Sequence, residues 1–122
     1  DRRRRRDVSA AAVVVVRRLG GGRMAMTLDA FTRSVSRSKP PAELAPSLQA
    51  LWWVAKDDWE RAHQIVMAHE DCDCAWVHAY LHRREGDLPN ARWWYKEAKR
   101  PAATGSLDDE WKAILRALLN EG

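Results

Sequence analysis

The amino-acid sequence predicts an all-α protein of five to six helices, arranged as antiparallel helical hairpins. Outside residues 13–16, β-branched residues are sparse, and the sequence is rich in Ala, Leu, Glu, Arg and Trp, a composition that favours helix over sheet. Apolar residues recur at helical spacing along most of the chain, and short polar or proline-containing segments interrupt them. Seven Trp in 122 residues supply enough apolar area for a small core.

The first 25 residues differ from the rest, and we expect them to form a disordered basic tail or a non-native extension. Residues 1–23 hold eight Arg and two Asp, a net charge of +6. The apolar run 8–16 is too short to span a bilayer, and no clear small-residue cleavage site of a signal peptide follows it. Met24 or Met26 would then be the native start. A targeting role and a basic arm for nucleic acid or anionic lipid are the alternatives.

Residues 26–122 are predicted to form a single α-helical domain. Its length fits one domain, and the overall composition of 46% hydrophobic and 31% charged residues is typical of folded proteins. Because the chain carries +4 in total, this part is mildly acidic, so we expect it to bind neither nucleic acid nor a membrane. Cys72 and Cys74 are poorly placed for a mutual disulfide. We therefore expect a cytoplasmic protein.

Two helices are predicted before the middle of the chain. Residues 27–35 form a short helix that Thr27 can cap, and Pro40 and Pro41 then impose extended backbone. The second helix begins at Pro46 or Ser47, with proline in its first turn, and runs to Lys56. Its apolar stripe comprises Leu48, Leu51, Trp52 and Ala55.

Two helices are predicted in the middle of the chain. The first covers residues 59–69, with Asp57 or Asp58 as its N-cap, and the second covers 74–85, with Asp73 as its N-cap. One side of the second helix comprises Trp76, Val77, Tyr80, Leu81 and Arg84, and the other comprises His78, His82 and Glu85.

Two further helices complete the predicted fold. Gly86 suits a left-handed helix end, and Asp87 caps a helix that reaches about Lys99, with Pro89 in its first turn. Ser106 caps the last helix, which runs to Leu119 and has the clearest amphipathic pattern in the chain.

An internal repeat links the two middle hairpins. Residues 58–62 and 87–91, which are 29 residues apart, both read Asp, large apolar residue, two variable residues, Ala. At the same offset Leu51 matches Tyr80, and Val66 matches Tyr95. The pattern predicts two stacked helical hairpins, with Ala62 and Ala91 where the helices cross closely.

These residues suggest a family. Residues 76–87 read W-V-H-A-Y-L-H-R-R-E-G-D, and W-Y and R-P follow. This pattern resembles the tetratricopeptide and Sel1-like helical repeats and, more narrowly, a small group of uncharacterised bacterial proteins. The resemblance covers residues 44–119 and implies a helical hairpin fold. The chain departs from tetratricopeptide repeats in its shorter period, in Asp57 where Gly is expected, and in having only two units. We therefore expect residues 27–35 and 106–119 to act as closing helices.

The repeat pattern favours a non-enzymatic protein-interaction or scaffold module with an unidentified protein partner. In such hairpins the first helix usually lines the concave side, which would place His78, His82 and Glu85 on a binding surface. Trp93 points away from its neighbour Trp94 and could anchor a partner. The predicted partner-binding residues are therefore His78, His82, Glu85 and Trp93. Core packing is the leading interpretation of both tryptophan pairs, Trp52–Trp53 and Trp93–Trp94, and an anchor at Trp53 or Trp93 is the alternative.

The alternative function is binding of a metal ion or small ligand by His78, His82 and Cys74. His78 and His82 are four residues apart on a helix and could reach one ion. The candidate ligand types in this region are His69, Cys72, Cys74, His78 and His82. Because their spacing matches no standard structural zinc pattern, we predict neither a metal nor another cofactor.

A third hypothesis is an enzyme of a type that the sequence does not reveal. His78 or His82 with Glu85 could form an acid–base pair. The sequence shows no nucleophile, glycine-rich phosphate loop or paired carboxylates to accompany them. We therefore predict no catalytic residues and no enzymatic activity.

Overall fold

Six helices form the part of the chain, residues 26–121, that the computed structural model describes. They are α1 (Leu28–Ser34), α2 (Pro46–Ala55), α3 (Trp59–Met67), α4 (Cys72–Arg84), α5 (Leu88–Ala98) and α6 (Leu107–Glu121). This range contains no strand, so the prediction of an all-α fold with five to six helices is confirmed. The predicted tail, residues 1–25, lies outside the described residues. None of the six helices is long and apolar enough to cross a membrane.

Side-chain caps fix the beginnings of most helices. In four helices the predicted residue accepts a hydrogen bond from the backbone amide three residues later, which satisfies an otherwise unpaired donor. These caps are Thr27, Asp58, Asp87 and Ser106.

Helices α3 and α4 differ from their predicted bounds. The carboxylate of Asp71, rather than that of Asp73, accepts the Cys74 amide at 2.8 Å. Asp71 has the extended backbone of an N-cap, with φ −80° and ψ 165°, so α4 begins two residues earlier than predicted. Helix α3 correspondingly ends at Met67 instead of residue 69. The connection between these helices is therefore short, which brings them together as antiparallel neighbours.

The turn between α2 and α3 has the same backbone conformation as the turn between α4 and α5. Asp57 has φ +62° and Gly86 has φ +89°, so both residues adopt the left-handed conformation that ends a helix. In both turns the following aspartate donates its amide to the carbonyl oxygen five residues earlier, at 2.9 Å. The 29-residue sequence repeat thus corresponds to two hairpins with the same turn.

Helix α4 lies at the centre of the fold. It packs against α2, α3, α5 and α6. Ala62 and Ala91 are buried, which is consistent with close helix contacts in both hairpins. The indole of Trp52 is buried and donates to Ser34 Oγ at 3.0 Å, and Trp111 donates to the Leu51 carbonyl at 3.1 Å. These bonds satisfy the polar atoms of two large core residues.

The prediction that His78 and His82 lie on a surface of α4 is wrong. His78 is 2% exposed and His82 is 7% exposed, because α3 and α5 cover the side that the sequence pattern assigns to a surface. Burial on several sides of a central helix removes the simple distinction between an apolar inner face and a polar outer face. The two histidines therefore belong to the interior of the domain.

Candidate functional site

Three histidines from α3 and α4, of which two are buried and His63 is half-buried, form a cluster that we call the histidine cluster: His63, His78 and His82. Nε2 of His63 and Nε2 of His78 are 3.2 Å apart. One nitrogen from each of the three rings lies within 4.8 Å of one nitrogen from each of the others. The rings of His78 and His82 stack with their centroids 4.9 Å apart. The antiparallel packing of α3 and α4 thus directs three imidazoles to one point.

Two tryptophans hold the cluster in place. The Trp59 ring stacks on His63 with a centroid distance of 4.6 Å, and the Trp94 ring stacks on His78 at 3.9 Å. Trp59 also donates its indole N–H to the Leu81 carbonyl at 2.8 Å. Since each stack joins two neighbouring helices or two turns of one helix, the imidazole rings of His63 and His78 have little rotational freedom.

A carboxylate orients the third histidine. Nδ1 of His82 lies 2.7 Å from Oε2 of Glu85, and the ionised carboxylate can only accept, so Nδ1 carries the proton. In the neutral ring the lone pair available for a ligand is therefore on Nε2. Glu85 is a predicted site residue, and its role in the structure is to set the tautomer of His82.

Burial keeps two of the histidines uncharged. Burial, with smaller contributions from the nearby His63 and His82, lowers the pKa of His78 to about 4. Burial also lowers the pKa of His63, with a smaller lowering contribution from His82 and opposing contributions from Glu60 and Glu85. Both effects disfavour the protonated ring. At neutral pH these two imidazoles consequently have a lone pair to offer.

A groove of about 330 Å³ adjoins the cluster, with His78 among its lining residues. We call it the Trp93 groove. Trp93 on α5 is 54% exposed, and Met67 at the end of α3 is 63% exposed. Three carboxylate residues also line the groove: Glu70, Asp71 and Glu97. The groove therefore combines exposed apolar side chains with an acidic lining.

Comparisons with protein-family models, curated proteins and solved structures found no match. The resemblance to tetratricopeptide and Sel1-like repeats stays a prediction. The function is accordingly argued from the geometry of the histidine cluster and the Trp93 groove.

The structure separates the predicted site residues into two groups. His78, His82 and Glu85 belong to the histidine cluster and its hydrogen bonds, whereas Trp93 lies in the groove beside it. Cys74 does not join the cluster found among the described residues. It is buried in the core, and burial and the nearby Asp71 raise its thiol pKa to about 12. Cys74 is therefore a protonated core residue at neutral pH.

His63 is the site residue that the sequence prediction missed. The pairing of His63 with His78 follows from the antiparallel packing of α3 and α4. Trp59 contacts His82, so His63, one turn after Trp59, contacts His78, which lies one turn before His82. Antiparallel neighbours pair in this way once the short α3–α4 connection is known. The sequence signal was the four-residue spacing of Trp59 and His63, which places both on one face of α3.

Proposed function

We propose that the protein is a non-enzymatic interaction module that binds a basic segment of a partner protein in the Trp93 groove. The observation that carries this proposal is the exposure of Trp93 and Met67, two large apolar side chains, on the walls of one groove. Exposed apolar patches of this kind mark interaction sites, and tryptophan is enriched among residues that dominate binding energy.

A ring contact within the protein supports Trp93. Its ring contacts the ring of Trp94 edge to face, with centroids 4.8 Å apart and an angle of 82° between the planes. Trp94 in turn stacks on the buried His78. A side chain that already has such a contact loses less conformational entropy on binding than an unsupported one, so this arrangement supports a docking role for Trp93.

The charge of the groove defines the chemistry of the partner. Among the described residues, those that line the groove include Glu70, Asp71 and Glu97 but no Lys or Arg. An acidic lining favours a cationic partner and disfavours an acidic one. Arginine also stacks on tryptophan, as Arg61 does over Trp53 at 4.5 Å within this protein. We therefore propose a partner segment with Lys or Arg beside an apolar side chain.

The proposed groove changes the partner-binding surface that the sequence predicts. Trp93 remains its central residue, and Met67 and Glu97 join it. His78 lines the groove and stacks on Trp94. His82 and Glu85 are not among the lining residues. The resemblance to helical repeats, many of which bind peptides, supports the proposal as a fold-level analogy.

We propose that the module acts in the cytoplasm. Cys72 and Cys74 are both free thiols. Free thiols persist in a reducing compartment, and this state supports the proposed location.

The test uses a displayed library of random peptides as the probe, selected on the purified protein. We expect the selected peptides to carry Lys or Arg beside an apolar residue. We also expect Trp93→Ala to weaken their binding more than about 10-fold. Leu88→Ala is the matched control, because Leu88 is also an exposed apolar residue of α5 but does not line the groove. The Leu88→Ala variant should bind the selected peptides with wild-type affinity.

A charge reversal tests the proposed chemistry separately. Glu97→Lys should weaken binding of the selected basic peptides, and the loss should shrink as salt screens the interaction. Glu43→Lys changes the charge of the protein by the same amount outside the groove and should have little effect. Peptides that bind Trp93→Ala as tightly as wild type, or that show no preference for basic residues, would overturn the proposal.

A further inference from the structure

The histidine cluster has the geometry of a metal site, independently of the Trp93 groove. Zinc–imidazole bonds of 2.0–2.1 Å in a tetrahedral arrangement separate ligand nitrogens by about 3.3 Å. The Nε2 atoms of His63 and His78 are 3.2 Å apart. His78 and His82 are one turn apart on α4, a spacing from which two histidines can bind one ion. We propose that His63, His78 and His82 bind a divalent late first-row transition metal, with Zn²⁺ the preferred ion.

The third ligand needs only a small movement. One nitrogen of each ring already lies within 4.8 Å of a nitrogen of each other ring, and the ring of His82 packs against those of both His63 and His78. Because only the His63 and His78 nitrogens are already 3.2 Å apart, binding of one ion by all three rings requires the His82 ring to come closer to that pair. The three ligands come from two adjacent helices, so the ion would also tie α3 to α4.

Glu85 provides the outer support that metal-bound histidines usually have. Its carboxylate accepts from Nδ1 of His82 at 2.7 Å, which leaves Nε2 of His82 as the coordinating atom. Carboxylate–histidine–metal arrangements of this kind orient the ring and raise its basicity as a ligand. The hydrogen-bonded pair lies beside the cluster, so this part of the proposed site is formed.

The surroundings of the cluster are suited to a bound ion. His63 and His78 share one hydrogen bond through their Nε2 atoms, and an ion bound to both atoms would replace it. The aromatic rings of Trp59 and Trp94 enclose the cluster, and such an apolar surround limits solvent access to a bound ion.

The ligand set defines the class of ion. Three imidazole nitrogens suit zinc, nickel and copper, whereas magnesium and calcium prefer oxygen ligands. Cys74 and the other described residues outside the cluster do not join the three-nitrogen group. Tetrahedral zinc would therefore have one coordination position for water or an external ligand.

The experiment titrates the chelator-treated full chain with Co²⁺, whose absorption spectrum reports tetrahedral coordination, and then displaces Co²⁺ with Zn²⁺. We expect one ion per chain. His63→Ala and His82→Ala should each lower the affinity at least 100-fold, and Glu85→Gln should lower it about 10-fold to 100-fold. His69→Ala is the matched control, since His69 is the only other histidine and is exposed. It should bind like wild type.

A second measurement protects the test against variants that fold poorly. Excess Zn²⁺ should raise the Tm of wild type and of His69→Ala, because an ion that binds only the folded state stabilises it. The same Zn²⁺ should leave the Tm of His63→Gln unchanged, and circular dichroism should show that this variant retains its helices. Absence of binding to wild type, wild-type binding by folded His63→Gln, or an equal loss in His69→Ala would overturn the proposal. Trp93→Ala should keep full metal affinity, so this proposal and the peptide-binding proposal can fail separately.

Discussion

The carboxylate of Glu110 in α6 pairs with the guanidinium of Arg83 in α4 at 2.8 Å. The other carboxylate oxygen accepts a hydrogen bond from the Tyr95 hydroxyl of α5, and Arg83 also donates to the Gly105 carbonyl. Burial and this hydrogen bond to Glu110 raise the pKa of Tyr95, so its hydroxyl stays a donor. One buried carboxylate thus joins three helices.

Replacement of Glu110 should destabilise the protein strongly. Glu110→Ala leaves Arg83 and Tyr95 without their acceptor, and we expect a loss of about 3 kcal/mol in the free energy of unfolding. Urea denaturation followed by circular dichroism measures this loss. Asp109→Ala is the control, because Asp109 is exposed and its replacement should cost less than about 0.5 kcal/mol. A loss below about 1 kcal/mol for Glu110→Ala would show that solvent replaces the missing acceptor.

The helices could be predicted from the sequence because their signals are local. Thr27, Asp58, Asp87 and Ser106 each act on an amide three residues away, so the cap and the group that it satisfies are visible together. Asp71 and Asp73 could both cap α4, and only the backbone conformation of Asp71 decides between them. Local signals therefore gave the correct elements with small errors in their ends.

The histidine cluster could not be predicted from the sequence, because it depends on contacts between helices that local sequence signals do not reveal. The burial of His78 and His82 follows from the packing of α3 and α5 around α4, and a helical pattern alone does not reveal a neighbour on a second side. His63 joins the cluster from another helix, and Glu110 pairs with a residue 27 positions away. The exposure of Trp93 could be predicted because adjacent residues on a helix point in different directions, so Trp93 and Trp94 could not both face the same neighbour.

The buried alanines of the repeat should resist enlargement. Ala91 is buried in the α4–α5 hairpin, so Ala91→Leu should force the two helices apart and cost about 1–3 kcal/mol. Ala113→Leu provides the control, since Ala113 is an exposed alanine in α6. Thermal denaturation of both variants checks the difference. Equal Tm values for the two variants would mean that the hairpin accommodates the larger side chain.

The turn at Gly86 allows backbone strain to be tested without steric overlap. A Cβ added at Gly86 or at Gly105 would have no heavy atom within 4 Å, but only Gly86 has a positive φ, +89°. Gly86→Ala should therefore cost about 1–2 kcal/mol through the left-handed conformation alone, while Gly105→Ala should cost much less. Chemical denaturation of both variants gives the comparison. Similar losses in the two variants would contradict this explanation.

Cys74 should make the protein less stable in alkali. Burial raises the pKa of its thiol from 9.0 to about 12, so between these values the unfolded chain releases a proton that the folded chain keeps. The folded state is then favoured below pH 9, and its stability falls as the pH rises toward 12. We expect this thiol to remove about 2 kcal/mol from the free energy of unfolding between pH 7.5 and pH 10.5.

Paired variants isolate that effect from the titration of other groups. Denaturation in reducing buffer at the two pH values should show a smaller alkaline loss for Cys74→Ala than for wild type. This holds even though the substitution lowers stability at both pH values by leaving a small cavity. Cys72→Ala should keep the wild-type loss, because Cys72 is an exposed thiol. If Cys74→Ala loses as much stability in alkali as wild type does, the thiol at Cys74 is not the group responsible.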